Sequence, residues 1–552
     1  MMKRACIYFL CFVVGLLLNS NLHAQRGVST VDSLNKKYVN WYNLDAKSDK
    51  VSGVSVDKAY NELLKGKSAK KKIVVAVIDG GVDTAHADLK GHIWKNTDEI
   101  AGNGIDDDNN GYVDDIFGWN FLGTKGYNLN VENLEYTRIL KRLKPFFKNV
   151  KSIDAVPADQ VEDYKLYLAC TAKYNKEYKT NEAEQKGIEK FEEKLNEAET
   201  RIKEYLKKDK ITESDLQGIT STDVKITSYK DFLIKVYKQG ITAEVLKSAK
   251  EQSETYLDKY LNFDFNPRDS VGDDPENISD TNYGNNDVSG TRADHGTLCA
   301  GIIAAKRNNG IGINGIASDV LIMALRVVPD GDERDKDIAL AIRYAVDNGA
   351  NVINMSFGKA FSPQKKFVDD AIKYAEQHNV LLIHAAGNDG MNNDSTEHYP
   401  TKILNDGTVV TNMINVGASN LKLDKTYPAF FSNYGQTVDL FAPGMNIVST
   451  VPGSNYDKAN GTSFSCPVVS GVAALVWSYY PDLTALQLKE VLLSSVTSQA
   501  KLKVNLPDKE SDVKKIVKFS TLCSTAGTVN AYKALKAADK MTNAKKDLAS
   551  KK

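Results

Sequence analysis

Short apolar runs rich in β-branched residues recur along the chain, and they constrain its fold more than any other feature. The runs cover residues 73–78, 320–328, 352–355, 380–386, 414–418 and 438–442. A continuous apolar run of this length is typical of a strand covered on both faces, as in a parallel sheet. Helical patterns at 335–347 and 367–378 lie between the runs. The alternation predicts an α/β fold with a mostly parallel sheet, whose active groups lie at the carboxyl ends of the strands.

The segments outside this alternation divide the chain. Residues 1–24 have a basic start, an apolar run at 5–18 and a small residue at Ala24. This pattern predicts a signal peptide and an exported protein, periplasmic or extracellular in a bacterium. The remaining divisions are an N-terminal segment (25–70), the α/β pattern (71–124 and 266–500), an insertion (125–265) and a C-terminal extension with a solvated Lys-rich tail (501–552). No later run reaches 18 apolar residues, so we expect no membrane span in the mature chain.

The insertion is rich in charge and is predicted to be helical. Residues 171–210 contain 11 basic and 10 acidic residues, with one Gly and no Pro. Its apolar residues follow a heptad-like spacing and are Ile188, Phe191, Leu195, Ala198, Ile202 and Tyr205. The pattern indicates a helical hairpin with a turn near 207–215. Two interpretations remain open: a solvated spacer that packs on itself, or a module that binds an unknown partner or regulates activity.

Four short Gly-containing motifs carry residue types that cooperate in nucleophilic catalysis. They contain Asp79 (residues 77–83), His295 (294–301), Ser463 (461–467) and Asn388 (385–388). A Ser hydroxyl needs an imidazole to take its proton, and the imidazole needs a carboxylate to hold its tautomer. An amide side chain and the Ser463 N–H at a helix N-terminus are suited to stabilise an oxyanion. Taken alone, Asp79 and Asn388 are typical of turns, and Ser463 is typical of a helix N-cap. A lone histidine such as His295 is often structural. The four residues together favour a catalytic site.

With Asp, His and Ser in this order, the chain resembles the subtilase family of subtilisin-like serine proteases. The resemblance implies a doubly wound, mostly parallel sheet with helices on both faces, interrupted here by the inserted helical subdomain. It also implies a role for each residue. Asp79 orients the base, and His295 acts as general base and then acid. Ser463 is the nucleophile, and Asn388 stabilises the oxyanion.

The resemblance further implies a substrate groove. The residues that would pair with a peptide backbone are Ser356, Phe357 and Gly358. His398 precedes a Tyr-Pro pair at a point where the family commonly has a small residue at the back of the primary specificity pocket. A histidine there would narrow the pocket, which predicts poor cleavage after large aromatic residues. The alternative is that His398 points away from the pocket.

Residues 103–115 are dense in hard oxygen ligands. The candidate ligands for a calcium ion are Asp106, Asp108, Asn110 and the carbonyl of Tyr112, with Asp114 or Asp115 to complete the set. Position twelve of this loop is Phe117 instead of Glu, so the loop is not an EF-hand. We therefore predict a calcium ion that stabilises the fold; the alternative is a solvated acidic turn.

Charge and cysteine content limit the remaining functions. Lys+Arg and Asp+Glu both number 71, so the net charge of zero argues against a nucleic-acid partner bound by bulk charge. We predict an exported serine endopeptidase that cleaves protein or peptide substrates through an acyl-enzyme. Two alternatives remain: a dedicated processing protease or transpeptidase, or a catalytically silent binding protein acting through the insertion. Cys299 and Cys466 lie within the motifs that contain His295 and Ser463. They are either buried free thiols, a disulfide or a mercury-sensitive site.

Overall fold

The computed structural model describes residues 30–509, 511 and 513–549. The predicted signal peptide lies outside these residues. Of the described residues, Tyr136–Asn266 form one compact unit, and the residues before and after them form the other. We call them the helical unit and the catalytic unit.

The strands all belong to the catalytic unit. They are β1 (Ile73–Asp79), β2 (Gly118–Asn120), β3 (Gly123–Thr124), β4 (Tyr127–Asn128), β5 (Val320–Arg326), β6 (Val352–Met355), β7 (Leu381–Ala385), β8 (Met413–Ser419), β9 (Leu440–Pro443), β10 (Ile447–Val451), β11 (Asn455–Ala459), β12 (Thr497–Ser498), β13 (Lys503–Asn505), β14 (Ile516–Lys518) and β15 (Gly527–Thr528). Nine of them form one sheet in the order β12-β15-β9-β8-β7-β6-β1-β5-β2, and the others form three small hairpins. In the large sheet, β12 is antiparallel to β15, while the other neighbouring strands are parallel. The expected mostly parallel sheet is confirmed.

Helices occur in both units. They are α1 (Val56–Lys58), α2 (Glu135–Phe147), α3 (Val161–Leu206), α4 (Glu213–Gln217), α5 (Val224–Lys238), α6 (Ala243–Thr255), α7 (Asp294–Ala304), α8 (Asp335–Asp347), α9 (Lys365–Gln377), α10 (Thr462–Tyr479), α11 (Ala485–Ser494) and α12 (Ala531–Ala549). Helices α3 to α6 lie in the helical unit. A one-turn π-helix, Ala59–Leu63, directly continues α1.

The central strands are covered on both faces because their apolar side chains alternate between two cores. Val75 and Val77 of β1 belong to the core that contains residues of α7 and α10. Ala76 and Ile78 belong to the core on the opposite face, with residues of α8 and α9. Strands buried in this way have no polar face, which is why they could be predicted as continuous apolar runs. The doubly wound arrangement with helices on both faces is confirmed.

Both ends of the described chain pack into the catalytic unit. Trp41 and Tyr42 of the N-terminal segment are fully buried in the core that contains α10. The C-terminal extension adds β15 to the sheet through Thr528. Helix α12 places Leu535 and Ala538 in the same core. The Lys-rich tail was expected to be solvated from Lys536 onward, but Ala538 within it is buried. A Lys-rich helix still buries one face when its apolar residues recur at helical spacing.

The helical unit has a core of its own. Helix α3 packs along α5 and α6, and five of its six heptad-like residues are buried, while Tyr205 is exposed. Lys207, at φ +52°, ends the helix within the predicted turn. Three further helices follow, so the fold is more than the expected hairpin. The unit begins at Tyr136 and not at residue 125, because residues 118–135 pair with the catalytic unit through β2 and the segment around Val131.

Within the described part of the chain, every helix is too short or too polar to cross a lipid bilayer.

Candidate active site

Strand β1 and helix α7 bring Asp79 and His295 together although 216 positions separate them. Asp79 is the last residue of β1, and His295 is the second residue of α7. Both carboxylate oxygens of Asp79 lie close to His295 Nδ1, at 2.8 and 2.9 Å. The close approach requires Gly296, since a methyl group there would lie 2.2 Å from the carbonyl oxygen of Gly81. This bond fixes the Nδ1–H tautomer and leaves Nε2 as the basic nitrogen.

Ser463 is the second residue of α10, so its backbone N–H lies at the helix N-terminus. Its carbonyl oxygen accepts hydrogen bonds from Ser356 Oγ at 2.8 Å and from Cys299 Sγ at 3.5 Å. Cys299 lies one turn after His295 on α7, and the ring of Phe464 lies 5.3 Å from the His295 ring. These contacts place the predicted nucleophile and the predicted base in one site.

Asn388 reaches the same site from the end of β7. Its side-chain oxygen accepts from the backbone N–H of Thr462 at 2.8 Å and from the Thr462 hydroxyl at 3.0 Å. The Thr462 hydroxyl also accepts from the N–H of Gly387 at 3.2 Å. A backbone N–H is always a donor, so the Asn388 oxygen must face Thr462. The amide NH₂ group is then the end available to a substrate oxygen.

The electrostatics of His295 depend on two opposing effects. Desolvation lowers the pKa of His295, but the negative charge of Asp79 outweighs it and raises the pKa well above the ordinary value of 6.5. The His295 side chain is 39% exposed, whereas that of Asp79 is 3% exposed. A buried carboxylate beside a partly exposed imidazole suits a base that gains a proton during a reaction and then releases it.

The groove residues follow β6 at the carboxyl edge of the sheet. Ser356 accepts from Asn354 Nδ2 at 2.9 Å and donates to the Ser463 carbonyl, which joins the groove to the nucleophile's helix. His398 lies beside this segment. A methyl group on Gly358 would lie 2.3 Å from His398 Nε2, and one on Gly387 would lie 3.0 Å from His398 Cε1. The imidazole edge therefore lies between the segments that carry Gly358 and Gly387.

His384 is a residue of this site that the sequence analysis did not find. It lies in β7, stacks on His398 with 5.5 Å between ring centroids, and donates from Nε2 to the carbonyl of Phe357 at 2.9 Å. Burial lowers the pKa of His384 to about 3 and also lowers the pKa of His398, which Asp389 partly opposes. Both rings are therefore neutral near pH 7. A single His inside an apolar strand gave no signal in the sequence.

The acidic loop brings together a set of oxygen atoms that differs from the predicted set. Carboxylate oxygens of Glu99, Asp106 and Asp108 lie within 4.8 Å of one another. Asp114 turns away, because its carboxylate accepts from the N–H groups of residues 102–104 at 2.6–3.2 Å. Asn110 bonds to Asp108 through its NH₂ at 3.1 Å, and its own oxygen accepts from the N–H of Tyr112. Glu99 was missed since it precedes the Asp-rich stretch by seven residues.

The thiols near the site are free and buried. Cys299 and Cys466 both carry reduced sulfurs. Burial raises the pKa of each thiol, and that of Cys466 well above its ordinary value. Cys466 Sγ contacts Asn354 Oδ1 and the carbonyl of Ile383, both at 3.2 Å. A buried neutral thiol is a poor nucleophile, so both behave as small core residues.

Comparison with known protein families identifies the family of this chain. The family described as "Subtilase family" matches residues 70–512. The chain therefore belongs to the subtilase family, the subtilisin-like serine endopeptidases, and the family resemblance of the motifs is confirmed.

Individual relatives match only part of the chain. The thermophilic serine proteinase of Bacillus sp. (strain AK1) is 42% identical over 185 residues, which are 33% of this chain and 42% of that protein. Subtilisin BL of Lederbergia lenta is 37% identical over 205 residues, which are 37% of this chain and 70% of that protein. Among solved structures, the prenylagaramide maturation protease PagA is 29% identical, covers 44% of this chain and 82% of its own, and has a TM-score of 0.35.

Proposed function

We propose that this protein is a serine endopeptidase that hydrolyses peptide bonds through an acyl-enzyme on Ser463. The observation that carries the proposal is the paired contact of the Asp79 carboxylate with His295 Nδ1 beside the helix that begins at Thr462. In this arrangement the imidazole presents a basic Nε2 on the side away from the carboxylate. A Ser hydroxyl next to that nitrogen loses its proton as it attacks.

The reaction proceeds in two halves. Ser463 Oγ bonds to the scissile carbonyl carbon while its proton passes to His295 Nε2, and Asp79 stabilises the resulting imidazolium. The Asn388 NH₂ group and the Ser463 N–H donate to the oxyanion. The C–N bond then breaks, the amine takes the proton from His295, and an ester remains on Ser463. Water then attacks the ester carbonyl carbon while its proton passes to His295 Nε2. The bond between that carbon and Ser463 Oγ breaks, Ser463 Oγ takes the proton from His295, and the carboxylic acid product leaves.

Peptide substrates would add a strand beside residues 356–358, so that backbone hydrogen bonds supply affinity and pockets supply preference. We propose that His398 forms the floor of the pocket for the residue before the scissile bond. Its ring edge lies between Gly358 and Gly387 and is supported from behind by His384, which supports a shallow, polar pocket. Small side chains would fit and large aromatic ones would not.

A peptide library tests this specificity. Wild-type enzyme should cleave poorly after Phe and Tyr, and His398→Gly should gain cleavage after both. His378→Gly is a matched control, since His378 is an exposed histidine directly after helix α9 and its Nδ1 contacts the carbonyl of Tyr374 in that helix. A strong preference of the wild type for Phe or Tyr would refute the proposed role of His398.

We also propose a structural calcium ion at the acidic loop. Glu99, Asp106 and Asp108 present the hard oxygen atoms that calcium prefers, and three close carboxylates repel one another without a cation. The ion would stabilise the loop and take no part in the chemistry. Export to the periplasm or beyond remains part of the proposal, and it rests on residues 1–24 of the sequence.

The activity is tested by intact-mass analysis after exposure to a fluorophosphonate probe. One adduct on wild-type protein and none on Ser463→Ala would establish an activated serine. No adduct on folded, calcium-loaded wild-type protein would refute the endopeptidase proposal. The helical unit would then be the better candidate for the function, as a binding module.

A further inference from the structure

Lys359 directly follows the groove residue Gly358 and is a buried cation with several partners. Its side chain is 1% exposed. The ammonium group lies 2.7 Å from Glu135 Oε2 and 2.9 Å from Asp335 Oδ1, and it donates to the carbonyl of Glu333 at 2.8 Å. A buried ammonium with three oxygen partners holds its neighbours at fixed distances, because each lost partner leaves charge unpaired in the interior.

The partners of Lys359 come from separate parts of the catalytic unit. Glu333 and Asp335 belong to the loop after β5 and the start of α8, and Asp335 also accepts from Ser362 and Gln364. The Lys359 backbone pairs with that of Tyr399, with N···O distances of 3.1 and 2.9 Å in the two directions. Tyr399 directly follows His398. Lys359 therefore connects the groove segment with the loop after β5 and with the segment that carries the pocket histidine.

Glu135 is the last residue of the catalytic unit before the chain enters the helical unit. Its backbone N–H donates to Asp332 Oδ2 at 2.7 Å, so Glu135 is held at both ends. The preceding residues pair with the same loop, since Asp330 N–H donates to the carbonyl of Asn130 and Glu132 N–H donates to that of Asp330. The segment before Glu135 and the loop after β5 are therefore in direct backbone contact.

Gly331, in the loop after β5, shows how closely this loop approaches residues 130–133. Its φ is +125°, and a methyl group there would lie 2.1 Å from the Glu132 carbonyl oxygen. A side chain at this position would push the loop away from residues 130–133. The loop and residues 130–133 are therefore packed directly against each other.

We propose that Glu135 and Lys359 are positioning residues that hold the groove segment and the floor of its specificity pocket in the geometry that binds peptide. The proposal deepens the proposed function, since it assigns substrate binding to an ion pair that lies outside the catalytic residues. It also means that the point where the chain enters the helical unit is bonded to the substrate groove. Loss of the pair should weaken peptide binding more than it slows the chemical step.

The test compares Glu135→Gln, Lys359→Met and the double variant with Lys366→Met. Lys366 is a matched control, because it is 74% exposed and pairs on the surface with Asp370. Each variant is assayed with a peptide anilide of four residues and with a single-residue anilide. We expect KM for the longer substrate to rise about ten-fold, with kcat changed less than about three-fold, because small displacements of binding groups are costly. The double variant should lose less than the sum of the single variants, since the pair acts as a unit.

A second measurement does not depend on activity. Binding of the four-residue peptide is measured in the Ser463→Ala background, with and without Glu135→Gln. Glutamine has nearly the same shape as glutamate, so this variant can be used even if Lys359→Met fails to fold. Weaker binding of about ten-fold supports the proposal even if the wild type proves inactive towards the probe. Unchanged binding with a lower melting temperature alone would overturn it and leave a structural ion pair. An equal loss in kcat on both substrates would also overturn it.

Discussion

Asn388 offers the sharpest test of the proposed mechanism, because its oxyanion donor can be removed separately from one of the two hydrogen bonds that orient it. The Asn388 oxygen accepts from the N–H and from the hydroxyl of Thr462, at 2.8 and 3.0 Å. Asn388→Ala removes the donor to the oxyanion completely. Thr462→Val keeps that donor and one of the two bonds that orient it, and it also leaves the N–H of Gly387 without its hydroxyl partner.

The two substitutions should lower kcat by different amounts. Loss of one oxyanion donor typically costs about 10²–10³ in kcat, or about 2.7–4 kcal/mol. Loss of one ordinary hydrogen bond costs about 0.5–1.5 kcal/mol, so Thr462→Val should lower kcat by roughly 2- to 13-fold. The donor acts on charge that develops in the transition state. The loss should therefore appear in kcat, while KM stays within about two-fold.

The assay is steady-state cleavage of a peptide anilide together with single-turnover acylation, which isolates the step in which the oxyanion forms. Asn405→Ala, at an exposed turn, is the control and should leave both rates unchanged. If Asn388→Ala keeps kcat within about three-fold, or if its whole effect lies in KM, the oxyanion role inferred from this geometry is wrong. If Thr462→Val is as damaging as Asn388→Ala, the hydroxyl does more than orient the amide.

Three further outcomes follow from the structure. In a pH–rate profile, the acidic limb of kcat/KM should lie above pH 6.5, because the base must be neutral and Asp79 raises the pKa of His295. The Asp79→Asn variant should be less active, and its acidic limb should lie at lower pH. Chelation of calcium should lower the melting temperature of the wild type, and it should lower that of Glu99→Gln much less, with the exposed Glu276→Gln behaving as wild type. Trp41→Ala should reduce the free energy of unfolding by about 3–5 kcal/mol in urea titrations, since the side chain is fully buried; a change below about 1 kcal/mol would contradict its place in the core.

The sheet and the catalytic motifs could be predicted because each gives a local signal. Strand β6 is bounded as predicted, at Val352–Met355, and helix α8 at Asp335–Asp347. Runs without a polar face and Gly-rich strand ends are visible within a few residues. The order of Asp79, His295 and Ser463 then identified the family although the insertion separates the first two.

What could not be predicted depends on contacts between distant positions. His384 and His398 gain their role only when β7 and the loop before Tyr399 stack the two rings. Glu99 joins the acidic cluster through the loop's fold, while Asp114 is turned away to accept from backbone N–H groups. The boundary of the insertion depends on pairing between Val131 and Asp330, 199 positions apart. No local pattern records such pairings.

The role of the N-terminal segment follows from how it packs in the catalytic unit, not from its position in the sequence. Members of the family often carry a folded inhibitory prodomain before the first strand, and no role could be predicted for residues 25–70 from the residue pattern. In the structure, the Trp41 indole donates to the Asn446 carbonyl at 3.2 Å, and the Val54 carbonyl accepts from the N–H of Ala531 at 2.8 Å. Tyr42 lies in the same core as helix α10, which carries Ser463. Release of this segment would expose apolar surface and unpaired polar groups beneath the nucleophile's helix. The segment therefore stabilises the catalytic unit as part of its core, and it does not fit the role of a detachable inhibitor.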